Sequence, residues 1–176
     1  DISIDESFVQ MHDEFSHRLC AHWEELALQV ASISRTILLR TGIVLVRNKG
    51  ILKKMALPFS LGMGAVLGDG KQMMSWIHLD DVVAAIIFLL KNHSCHGAFN
   101  LTAPNPVSNR EFTQQLAAQM HRPAWFTIPN GIQRILFGEM ADLFMYGQNV
   151  KPAKLLQTGF NFYYPTLTQA LSAIYS

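Results

Sequence analysis

Two cysteines, Cys20 and Cys95, are all the thiols in 176 residues, and they form no Cys-x-x-Cys pair. A disulfide framework and a thiolate zinc site both need more, so a reducing cytoplasm is the default expectation. Charge is scarce as well: Asp, Glu, Lys and Arg make up 15% of the chain, and the net charge is +1. The cations are scattered, and no basic stripe offers itself to a nucleic acid. Long apolar runs are missing too. The longest, Val82–Leu90, has nine residues, whereas a membrane-spanning helix takes about 20. The opening Asp1–Ser7 is acidic and polar, unlike a secretory leader. Neither a repeat nor a low-complexity stretch occurs.

Histidine is comparatively plentiful, with seven residues. His12, His17 and His22 recur at intervals of five, which turns each about 140° from the last on a helix. They do not share a face, so surface histidines are expected and no metal site. Hydrophobic residues make up 49% of the chain, enough for the core of one ordinary domain.

Periodicity predicts a helix over 13–31, capped by Asp13, with Phe15, Leu19, Trp23, Leu26 and Val30 on one face. Residues 35–46 (RTILLRTGIVLV) read as a strand, buried on both faces in its first half. Gly42 interrupts it and marks a bend or a close approach. A short helix over 50–56 is expected to end at Pro58. Strands follow at 76–79 and 97–101, separated by a helix over 82–92 capped by Asp80 or Asp81. Further on, Ser108 and Glu111 form a capping-box pattern before a helix over 110–120. Extended segments at 124–128 and 160–164 and helices over 131–144, 152–159 and 166–175 complete the chain. Buried strands alternating with helices mean a parallel α/β sheet. Only two or three such strands can be counted, and the chain starts on a helix, so it reads as the C-terminal part of a larger α/β protein.

Residues 62–70 hold four glycines, Gly62, Gly64, Gly68 and Gly70. A dinucleotide fingerprint needs a strand before such glycines and a helix after them. Here they follow PFSL and lead into a strand. A P-loop fails as well, because Gln72 follows Gly70-Lys71 where Ser or Thr is required. A turn-rich loop folding over a cleft is the better expectation.

The segments RTGIVL, LPFSLGMGAVLGDGKQMMSWIHLDDV, GAFNLTAPNPVSNREF, RPAWFTIP, GEMA and KLLQTGFNFYYP occur in this order. Together they closely resemble the YfcH-like epimerase family, atypical members of the extended short-chain dehydrogenase/reductase superfamily. The resemblance covers essentially the whole chain. It implies the C-terminal portion of a Rossmann-type parallel sheet (residues 1–121, with a substrate-side loop over 57–75). It also implies a small α+β domain of unknown function over residues 122–176. Relatives bind NADP or NAD mainly through an N-terminal half not present in this chain, and act on a small molecule as epimerases or oxidoreductases. A non-catalytic dinucleotide-binding sensor is the other reading.

By the same resemblance, Arg40, Thr41 and Gly42 face the cofactor, and Lys71, Gln72, Trp76 and His78 line the substrate cleft. The catalytic Tyr-x-x-x-Lys of relatives does not occur. Phe15 and Leu19 stand where it would be sought, and Tyr146 precedes Lys151 by five places rather than four. No catalytic residue is therefore expected in this chain. The arginine that grips pyrophosphate in nucleotide-sugar relatives falls on Met74, and Lys71 is the nearby cation. Cut from its sheet, the chain is expected to expose an apolar face and to self-associate.

Overall fold

A computed structural model of the chain describes residues 3–8, 15–129, 131 and 147–176. The cap expected at Asp13, and all but Gly131 of the helix expected over 131–144, lie outside the described residues. The elements in chain order are β1 (Ser3–Ile4), α1 (Phe15–Leu28), β2 (Ile37–Thr41), β3 (Ile43–Leu45), α2 (Gly50–Ser60), β4 (Ala65–Leu67), β5 (Met73–Met74) and β6 (Trp76–His78). There follow α3 (Leu79–Lys91), β7 (Gly97–Leu101), β8 (Val107–Ser108), α4 (Asn109–Gln119), β9 (Phe126–Ile128), β10 (Asn149–Val150), α5 (Ala153–Gln157) and α6 (Leu167–Tyr175).

Pairing is parallel for β2 with β7, β3 with β6, β4 with β9 and β1 with β10; β5 and β8 run antiparallel. The longest ladder sets Ile37 opposite Gly97 and Thr41 opposite Leu101. Among the described residues, β2 pairs on one edge only. The expected α/β class with parallel strands is what the structure has. The strand expected over 35–46 is two strands, broken at Gly42. It is also less buried than expected, with Ile37 and Leu38 half-buried and Leu39 exposed.

Two apolar clusters lie on opposite sides of β6, as the two-residue period of a strand requires. Trp76 faces Leu45, Leu52, Phe112 and Leu171, so α2, α4 and α6 close over it. Ile77 faces Leu89, Phe99, Leu155 and Phe160, under α3 and α5. Both clusters thus draw on the last helices of the chain.

Pro58 lies inside α2 rather than ending it. So late in a helix a proline forfeits little of the ladder, and the end is closed by Leu61 N–H to Leu57 O and Met63 N–H to Pro58 O. The glycine stretch is not all loop: β4 sits within it, between Gly64 and Gly68. Three residues flanked by glycines gave too short a pattern to read as a strand. The apolar stripe of α1 is not buried among the described residues, for Phe15 is 73% exposed and Trp23 61%.

Candidate functional site

In a parallel sheet, ligands approach the carboxyl ends of the strands. At that end of β2, Gly42 passes between two other segments. Its N–H donates to Leu101 O at 3.0 Å, and Ile43 N–H donates to Ser75 O at 2.8 Å. A Cβ at Gly42 would stand 2.6 Å from Ser75 O and 2.9 Å from the Thr102 methyl. The glycine predicted for a close approach makes one, with the strand segment after Met74 and the residue after β7.

Arg40 precedes this crossing. Its Nε and Nη2 donate to the two carboxylate oxygens of Glu24 on α1, each at 2.7 Å. This fork lowers the Glu24 carboxyl below its ordinary range and raises the Arg40 guanidinium. Thr41 is exposed beside it.

Polar side chains tie the corner together. Ser75 Oγ donates to Gln148 O at 2.6 Å and accepts from Val150 N–H at 2.9 Å. Asn100 Nδ2 donates to Lys151 O at 3.0 Å. Glu6 accepts from Asn100 N–H through Oε1 and from Lys154 N–H through Oε2, at 3.0 and 3.2 Å. These partners lie 51 to 148 residues apart for Asn100–Lys151 and Glu6–Lys154, so no local spacing could have shown them.

Of the four residues expected to line the substrate cleft, Lys71 is exposed, Gln72 half-buried, and Trp76 and His78 buried. Trp76 is fully buried, and its indole N–H donates to Asn105 O at 3.1 Å. It is a core residue, because period two on β6 turns it inward under α4. Gln72 staples the glycine turn: Nε2 donates to Leu67 O at 2.9 Å, and its carbonyl accepts from Asn109 N–H at 2.9 Å. Lys71 keeps an exposed side chain, while its N–H donates to Asp69 Oδ1 at 2.9 Å. The glycine turn itself docks on the start of α4, through Arg110 N–H to Gly70 O and Leu67 N–H to Asn109 Oδ1. Met74 is buried, and its sulfur accepts from Asn109 Nδ2 at 3.5 Å.

His78 is the N-cap of α3: its Nδ1 accepts from Asp80 N–H at 3.1 Å, and its ring lies 4.1 Å from that of Tyr164. The cap expected at Asp80 or Asp81 therefore belongs to the residue before them. Asp81 instead lies fully buried and accepts from Tyr163 N–H at 2.7 Å and Tyr164 N–H at 3.1 Å. Burial raises its carboxyl above the ordinary value, and the two N–H groups oppose that shift. Asn and Asp cap helices so often that a carboxylate pair before an apolar run hides this long-range role.

Accepting at Nδ1 requires a neutral ring, and burial holds His78 below the usual imidazole value while Asp80 and Asp81 oppose. With the folded value below the unfolded one, this contribution to stability is complete above about pH 6.5 and falls away as pH drops through the folded value. The melting temperature is expected to fall on acidification through this window. His78→Asn, which keeps a capping side chain, flattens that part of the profile when both proteins are melted across pH. Equal slopes would remove His78 as the cause.

Among the described residues, no group of His, Cys, Asp and Glu is arranged to hold a metal ion, and no helix is long and apolar enough to cross a membrane.

Comparison with known proteins places these features. Residues 18–102 match the NAD dependent epimerase/dehydratase family, and residues 128–174 match a domain of unknown function. An epimerase family protein of Mycobacterium leprae is 42% identical over 161 residues, which are 90% of this chain and 52% of the relative. One of Mus musculus is 35% identical over 162 residues, 92% of this chain and 55% of the relative. The crystal structure of a human epimerase family protein with NADPH superposes with a TM-score of 0.92 at 33% identity, covering 98% of this chain and 59% of that one. The chain thus spans about half the length of the curated relatives it matches.

Proposed function

This chain belongs to the NAD dependent epimerase/dehydratase family, and from that premise we propose that it is the substrate-side portion of an NAD(P)-dependent oxidoreductase acting on a small molecule. The observation that carries the reading is the carboxyl end of β2, where Thr41 is exposed and Gly42 is pinched between Ser75 and Thr102. Relatedness to a protein solved with NADPH supports NADP or NAD as the cofactor.

The residues present fit one end of such a cofactor and not the other. Arg40 is held by Glu24 in a bidentate fork, so the corner offers a hydroxyl and backbone groups rather than a cation aimed at phosphate. Arg40, Thr41 and Gly42 suit a neutral nicotinamide, with Thr41 and the backbone as contacts and Arg40 as the brace behind them. When bound, the nicotinamide gives or takes the hydride. The phosphates are left to residues outside this chain. No Tyr-x-x-x-Lys occurs here, so no proton-transfer role is assigned to it.

On the substrate side, Lys71 is the exposed cation of the glycine turn, which Gln72 and the start of α4 hold in place. Met74 is buried on Asn109 and can form no charge-assisted bond to a pyrophosphate. This favours a substrate smaller and less charged than a nucleotide sugar.

The test is to follow NADPH and NADH oxidation by a protein of the relatives' full length carrying this chain, with small carbonyl compounds and with nucleotide-linked ketosugars. Turnover of the former and not the latter is expected. Cofactor binding without any turnover would favour the second reading, a dinucleotide-binding sensor. Turnover of the nucleotide-linked compounds would overturn the reading of Met74.

A further inference from the structure

Helix α3 has two unlike faces. Asp81, Ala85 and Leu89 are buried against the rest of the protein. On the other side, Val83 and Ile87 are 49% and 46% exposed and Leu90 61%. A contiguous apolar stripe on the open side of a helix is the kind of surface that a partner can cover. Its two ends differ in sign, with Asp80 in the first turn and Lys91 in the last. Both side chains are exposed.

We propose that this face pairs with the same face of a second copy, the two α3 helices lying antiparallel across a twofold axis. Charge selects the arrangement. An antiparallel pair sets Asp80 of each copy opposite Lys91 of the other, twice over, and opposes the two helix dipoles. A parallel pair would set like charge against like at both ends. The same register sets Ala84 of one copy opposite Ile87 of the other, so a small residue receives a large one and the helix axes can approach closely. The open groove beside the helix carries the surface onward over Phe160, Asn161 and Tyr163. That extension matters, because a standard stable interface takes roughly 800 Å² from each partner. A single short helix contributes only part of this, so the dimer is concentration-dependent.

Sedimentation velocity on the full-length protein, over a range of concentrations, tests the pairing. The wild type is expected to pass from monomer to dimer. Ile87→Asp should weaken association about 30-fold or more, as for a central interface residue. Asp80→Lys alone and Lys91→Asp alone should each weaken it, and the double variant should restore it, since the swap recreates both charge pairs. These two positions are exposed, so the charge series remains readable if Ile87→Asp fails to fold. A wild type that stays monomeric throughout, as it would were another segment of the longer protein lying on α3, overturns the proposal. A dimer indifferent to Ile87→Asp, or a double swap that restores nothing, overturns it equally.

Discussion

Replacing Asp81 by alanine is expected to loosen the last 17 residues or so of the chain from the sheet, at a cost of about 3 kcal/mol. The carboxylate has no solvent exposure and holds the backbone N–H groups of Tyr163 and Tyr164. Alanine leaves both donors unpaired beneath the start of α6. An unsatisfied buried group costs about 1–3 kcal/mol, and these two donors are part-buried, so each falls toward the lower end of that range. Asp81→Asn should cost less, because one oxygen still accepts while the amide faces the second donor. The reference state tempers the effect, since burial already disfavours the charged carboxylate. Urea unfolding gives the magnitude, and limited proteolysis gives the place: new cleavage is expected between α5 and α6. A variant with unchanged stability and unchanged cleavage would mean that the turn at 163–164 is held by its packing alone.

The second large effect is expected at Gly42. Alanine there meets Ser75 O at 2.6 Å and the Thr102 methyl at 2.9 Å. The methyl can turn away, but a backbone oxygen that is already accepting Ile43 N–H cannot. The strands must separate, at a cost of about 2 kcal/mol or more. Thr41→Ala provides the contrast. Its side chain is exposed, so stability should stay within about 0.5 kcal/mol while cofactor affinity in the full-length protein falls. Chemical denaturation of the two variants, read beside cofactor titration, separates the corner's role in the fold from its proposed role in binding. If Gly42→Ala melts like the wild type, the crossing is looser than its geometry states.

How far the sequence announced this structure depends on the range of the contacts. Several local signals carried through. Ser108 caps α4 by accepting from Glu111 N–H. The helix expected over 166–175 is there as α6. The strand at 97–101 and the break at Gly42 stand where the pattern put them. The site was legible only in part, for a physical reason: its residues are fixed by partners far along the chain. Trp76 and His78 share a strand face, as period two requires, yet that face is the core side and not a cleft. Asp80-Asp81 looks like a cap, but the ring nitrogen of His78 takes that place and frees Asp81 to hold a turn 82 residues away. Gln72 points to the glycine turn, so a residue read as facing a ligand serves the scaffold. Ser75 and Glu6 carry no motif at all.

The apolar face of α1 and the edge of β2 that has no partner among the described residues bear on the same account. Trp23 and Leu39 lie open at 61% and 41%, as expected of a surface that the rest of a longer protein, or another copy, covers.

The most direct test of the central claim is calorimetric titration of NADPH and NADH into this 176-residue chain and into a protein of the relatives' full length that contains it. The account predicts saturable binding by the longer protein and none by this chain, because the corner at Arg40–Gly42 offers contacts to one ring and no cradle for phosphates. Tight binding by the chain alone would contradict it, and would return the glycine turn at residues 62–70 to the role of a phosphate loop.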